Sequence, residues 1–192
     1  MSKNPSGIGL SLFIITMIIF FAVYYFFSGI HYFDTSIKIN AFVLPVLYCG
    51  FAFYSVYILW KKQGRISFRE GFRSAFIPMF VGGFLSMAAM AVFLNTADTD
   101  ARDLLNFQYV QRQKSELDNE YHKAKKILKH KEDDDELEKK YQERLQSFAP
   151  EKVKNKNMLT YKHFFTYFAA ILLFYVIISA FFGAFFRSRS AR

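Results

Sequence analysis

The chain has 192 residues, of which 53% are hydrophobic and 20% aromatic, and its formal net charge is +9. That charge suggests nucleic acid only until it is located: residues 98–156 hold 14 basic and 14 acidic residues, and the excess flanks uncharged runs. The excess is therefore a topology and lipid-headgroup signal, a nucleic-acid footprint is excluded, and the single cysteine, Cys49, excludes an internal disulfide.

Four runs carry no Asp, Glu, Lys or Arg: residues 4–33, 39–60, 74–97 and 163–186. The shortest has 22 residues, whereas about 20 apolar residues at ~1.5 Å rise cross a ~30 Å hydrocarbon core. Helices apolar on every face need lipid, because a chain this size cannot bury four of them in itself. The expected fold is an all-α membrane protein with spans at about 8–30, 39–60, 72–94 and 163–186. A polar helical insert, residues 98–161, separates spans three and four.

In chain order, the first run is too long for a signal-peptide core. Bulky residues follow it where a cleavage site would need small ones, so it reads as an uncleaved span. Residues 31–38 read as a short loop in which Asp34 and Lys38 cancel. Span two contains Pro45, an expected bend, and ends at Trp60, an interfacial anchor. The connection 61–73 holds five basic residues and one acid, Glu70, and the tail after span four is also basic. Short Lys/Arg-rich segments stay in the cytoplasm, while long balanced ones translocate regardless of charge. The expectation is a bacterial inner-membrane protein with both termini cytoplasmic and the polar insert outside.

Span three opens with Ile66-Ser67-Phe68-Arg69-Glu70-Gly71-Phe72. Ser67 with Glu70 three residues on is a capping-box pattern, Arg69 and Arg73 reach headgroup phosphates, and Gly71 admits another helix. Further along, Pro78 is a second expected bend, and Gly82 and Gly83 lead a stripe of small residues that reads as a packing seam.

In the polar insert, Leu117, Tyr121, Ala124 and Leu128 share one helical face, as do Leu137, Tyr141, Leu145 and Phe148. Between them, bases end the first stripe and acids begin the second, as helix dipoles favour. Two amphipathic helices folded as an αα-hairpin are expected, with one long helix as the alternative.

The basic connection, the Ser67-Phe68-x-x-Gly71-Phe72 motif opening the third span, the long polar insert and the closing fourth span together resemble an uncharacterised family of small bacterial membrane proteins. That family is domain of unknown function four-one-nine-nine. The resemblance implies a four-span inner-membrane protein with no assigned activity and no catalytic residues to carry over.

No Gly-rich phosphate loop, nucleophile elbow or metal-ligand spacing stands out, and the four uncharged runs contain no Asp, Glu, Lys or Arg, with His31 and His163 only at their ends. No catalytic, cofactor-binding or metal residues are expected, and no cofactor. The expected role is a non-enzymatic interaction or structural module acting through the insert. Its surroundings are the lipid bilayer, and its partner is a second copy or an envelope protein. Candidate interaction or packing residues are Ser67, Arg69, Glu70, Gly71, Gly82, Gly83, Leu117, Tyr121 and Leu128. The alternative is a small oligomeric transporter or channel component for a neutral or lipid-like solute.

Overall fold

A computed structural model describes residues 4–127, 131–148 and 157–187. Among them the regular structure is entirely helical. Helix α1 is Pro5–Phe27 and α2 is Tyr32–Lys38; a π-helical turn, Ile39–Val43, joins α2 to α3, Leu44–Gln63. Helix α4 is Phe68–Val92, extended by a second π-helical turn, Phe93–Ala97. Helix α5 is Thr99–Ile127, α6 is Lys131–Gln146 and α7 is Tyr161–Phe185.

Four of these stretches are long and apolar enough to cross a membrane: Pro5–Phe27, Tyr32–Gln63, Phe68–Ala97 and Tyr161–Phe185. Within an apolar 18-residue window of each, only 17% to 39% of the residues are buried against the rest of the chain. Ile14, Ile18, Phe42, Val46, Phe165 and Phe181 all face outward. Patches of that extent are untenable in water and ordinary in lipid. The fold is therefore a four-span helical membrane bundle with two further helices, α5 and α6, between its third and fourth spans.

The second span begins earlier than the charge pattern suggests. The segment expected as a loop, residues 31–38, is mostly helix α2. Nothing between Tyr32 and Ile39 breaks a helix, and Asp34 in the first turn with Lys38 in the last matches the helix dipole. The bend expected at Pro45 takes the form of the π-helical turn just before it. Proline lacks an N–H and its ring crowds the carbonyl one turn back, and a widened turn relieves both. Pro78, by contrast, lies inside α4 without ending it.

Helix α4 is the hub, packed against α7, α1 and α3. Its crossings are made at glycines. A Cβ on Gly9 would sit 3.1 Å from the Pro78 carbonyl oxygen, and one on Gly82 would sit 3.1 Å from that of Gly9. On the other side of α4, a Cβ on Gly71 would lie 3.0 Å from the Gly183 Cα, and one on Gly183 would lie 3.0 Å from the Phe68 carbonyl oxygen. Lipid tails are as apolar as the side chains, so close backbone approach and polar contacts hold such helices together. The Ser55 and Ser74 hydroxyls, 3.1 Å apart, join α3 to α4. The Thr16 hydroxyl donates to its own Leu12 carbonyl at 2.8 Å and lies 3.4 Å from the Tyr48 hydroxyl. Tyr48 stacks on Tyr175 of α7 with ring centroids 5.5 Å apart, and the Tyr175 hydroxyl is seated against Gly83.

Candidate interaction site

Helix α5 has 29 residues, about 43 Å at the usual rise. Its first half is bonded to the end of the bundle that carries the α1–α2 turn and the start of α7. Ala101, Leu105, Gln108 and Arg112 are spaced 4-3-4, which sets them on one helical face. Ala101 and Leu105 bury themselves with Val23, Tyr32, Ala91, Leu94 and Phe164. Gln108 bridges the α1–α2 turn: its Oε1 accepts from the Phe33 N–H at 2.8 Å, and its Nε2 donates to the Gly29 carbonyl at 2.6 Å. Arg112 reaches Asp34 at 2.8 Å and Glu116 at 2.9 Å. Asn106 accepts from the Met158 N–H at 3.0 Å, and Asn95 donates to the Leu159 carbonyl at 2.9 Å.

Asp98 stands where span three ends and α5 begins. Its extended backbone, φ −141 and ψ 88, breaks the helix after the π-helical turn. One carboxylate oxygen caps the Ala101 N–H at 2.9 Å, and the other accepts from the Tyr24 hydroxyl of α1. These bonds favour the charged form, the Tyr24 hydroxyl most, and hold the Asp98 carboxyl below its usual range.

The second half of α5 pairs with α6 in an antiparallel hairpin. Of the two forms open from sequence, the structure therefore adopts the hairpin. Leu117 is buried, and Tyr121 stacks on Tyr141 with centroids 4.2 Å apart. The Tyr121 hydroxyl donates to Glu138, and the Tyr141 hydroxyl to Asp118 at 2.7 Å. Arg144 lies 3.5 Å from Glu120, one more link between the two helices. Hydrogen bonds from Gln142 and then Tyr121 hold the Glu138 carboxyl below its ordinary value. Lys125 adds a contact over the Tyr121 ring, 5.4 Å from its centroid. Leu128, expected on the same stripe, lies outside the described residues.

The remaining residues singled out from sequence fall elsewhere. Ser67, Arg69, Glu70 and Gly71 lie at the opposite end of the bundle. There Glu70 accepts from the Ser67 N–H at 2.8 Å and from its hydroxyl at 2.7 Å, while the Glu70 N–H reaches the Ser67 hydroxyl at 3.3 Å. This is the complete capping box, and Arg69 beside it is exposed. Gly82 and Gly83 lie mid-bundle, at the α1 and Tyr175 contacts. No single locus gathers them with Leu117 and Tyr121.

Sequence reasoning missed Tyr24, Asp98, Asn106 and Gln108, which fasten the arm, and Gly9 and Gly183, which complete the crossings. Ser179 and Gly183, four apart in an apolar run, carried a readable small-residue signal. The bonds of Gln108 carried none, because a glutamine on a polar helix has no pattern of its own.

The bundle and its hairpin define the class: a multi-pass helical membrane protein with a polar helical arm. Within that class the chain belongs to the DUF4199 family of proteins of unknown function, whose model matches residues 8–188. The match takes in the whole arm and all but the first turn of the spans. No curated protein and no solved structure matches the chain.

Proposed function

We propose that this protein is a non-enzymatic interaction module of a bacterial inner membrane, with α5 and α6 as its working surface. The observation that carries this reading is the attachment of the arm. Gln108, Arg112, Asp98 and Asn106 tie the base of α5 to three separate elements at one end of the bundle, while its far half lies beyond those contacts. Ile127, on that far half, is 77% exposed. Such an arm presents a surface at a fixed place relative to the membrane, as an assembly or adaptor role requires.

The positive-inside rule puts the 61–73 connection and both termini in the cytoplasm and the arm on the other side. Glu70 supports a structural role over a catalytic one, since its carboxylate is already engaged by the Ser67 cap. The partner is a second copy of the chain or an envelope protein.

A photocrosslinking residue at Ile127 in cells tests the reading. A discrete adduct is expected, retained when the crosslinker is moved to neighbouring exposed positions of α5 and lost when Leu117→Asp opens the hairpin. Absence of any adduct from Ile127, Lys123 and Glu120 would refute it. Topology is tested separately with single cysteines at Ser115 and Gln63 in a Cys49→Ser background. An impermeant thiol reagent should label the first in intact cells and not the second.

One observation favours a second reading, the oligomeric transporter or channel component. The Ser86 and Ser179 hydroxyls are buried in the bundle with no hydrogen-bond partner among the described residues, a polar element that a solute path would use. Ser86→Ala and Ser179→Ala would then reduce flux while leaving assembly unchanged.

A further inference from the structure

Helices α4 and α7 leave a shallow groove between them near the arm's end of the bundle, about 130 Å³ in volume. It is walled by Phe84, Ala88 and Val92 on α4 and by Tyr161, Phe165 and Phe168 on α7, and it exposes no polar surface. The groove opens sideways, on a face of the spans that lies in lipid.

Three features say what fills it. First, an unpolar wall offers nothing to a backbone N–H or carbonyl, so an extended polypeptide segment would leave its backbone unsatisfied there. Second, the groove continues into a ladder of stacked rings along α4. Phe72–Phe76, Phe76–Phe80 and Phe80–Phe84 have centroids 5.7, 5.7 and 6.0 Å apart, and Phe168 packs on the last two rings. From Val92 to Phe80 is about 18 Å of helical rise, against roughly 15 Å of hydrocarbon in one leaflet. A single extended chain fits that track over the whole leaflet. Third, Lys162, next in sequence to Tyr161 of the rim, is exposed and has no acidic partner among the described residues, and its long side chain can extend toward the headgroup region. A cation in the first turn of a helix is opposed by the helix dipole, so an anion beside it is favoured twice over.

The geometry points to a bound phospholipid: one acyl chain lies in the groove and along the Phe80–Phe84 rings, and an anionic headgroup sits against Lys162. This is a specific site on the bundle. It stands whether or not the arm binds a protein partner.

The test is native mass spectrometry of the full-length protein, purified in detergent and titrated with phosphatidylglycerol or phosphatidylcholine. One lipid per chain is expected to persist, with the anionic lipid favoured about fivefold, the size of one lysine's contact with an anionic surface. Ala88→Phe, which fills the groove from an exposed position, should abolish the retained lipid. Ile18→Phe, an equally outward change on α1, should leave it unchanged. Lys162→Gln should keep lipid bound and erase the preference. Retention unaffected by Ala88→Phe, equal loss in Ile18→Phe, or an anionic preference that survives Lys162→Gln would each overturn the proposal. So would a dimer in place of the lipid-bound monomer if Ala88→Phe dissolves it, since a second copy would then be the occupant.

Discussion

Gly183 and Gly50 both lie inside apolar helices, yet the same substitution should move them in opposite directions. A Cβ on Gly183 meets backbone atoms of α4, the Phe68 oxygen at 3.0 Å and the Phe72 nitrogen at 3.0 Å. Backbone cannot rotate aside as a side chain can, so α4 and α7 must separate. Overpacking of this kind costs about 1–3 kcal/mol, from which the better helix propensity of alanine returns about 0.5–1. Gly183→Ala should therefore lose a net ~1–2 kcal/mol. A Cβ on Gly50 meets nothing within 4 Å, so Gly50→Ala keeps only the propensity gain of about 0.5–1 kcal/mol. At about 2–4 °C per kcal/mol for a chain of this length, thermal unfolding in detergent should show Gly183→Ala lowered and Gly50→Ala raised. Gly71→Ala strains the same crossing, so with Gly183→Ala the combined loss should be smaller than the two added. Midpoints shifted in the same direction by Gly183→Ala and Gly50→Ala would refute the close-crossing argument.

Three further outcomes follow from the arm. Gln108→Ala removes both bonds to the α1–α2 turn and leaves the Phe33 N–H without its partner, costing about 1–3 kcal/mol. Spin labels at Ser115 and Gln63 should then show a broadened distance distribution, and an unchanged one would exclude Gln108 as a fastening. Leu117→Ala removes the buried leucine of the hairpin at about 2–5 kcal/mol, so proteolysis should cut α6 faster while the spans stay protected. Asp98 supplies a pH dependence. Its folded-state value is depressed, so its contribution is complete above the unfolded carboxylate value near 3.8 and is lost as pH falls through the lower folded one. Amide exchange at the start of α5 should accelerate in that acidic window in wild type, and Asp98→Asn should flatten the dependence.

Much of the architecture was written in one dimension. A span is specified by the absence of charge over a fixed length, and each of the four uncharged runs lies within a span or overlaps one closely. The capping box at Ser67 and Glu70 is equally local, because the residues that satisfy each other are three apart. The stripes through Leu117 and Tyr141 foretold two facing helices, since amphipathic helices need an apolar partner. The start of the second span was less legible. Charge marks what lipid excludes, and a helix continues past that limit wherever no breaker stops it, as α2 does with Asp34 and Lys38 aboard.

Composition and periodicity thus determined by themselves that this chain crosses a membrane four times and carries a polar helical arm. Both follow from the solvent and from contacts near in sequence. Only the tertiary structure decided which glycines are crossings and which, like Gly50, face open space. It also decided that Asp98 finds Tyr24 and that Gln108 spans the α1–α2 turn. Those pairings join residues 74 to 79 positions apart. A hydrogen bond across that separation depends on where whole helices come to rest, and the rest position is set by backbone approach at Gly9, Gly71, Gly82 and Gly183 rather than by any residue of the pair.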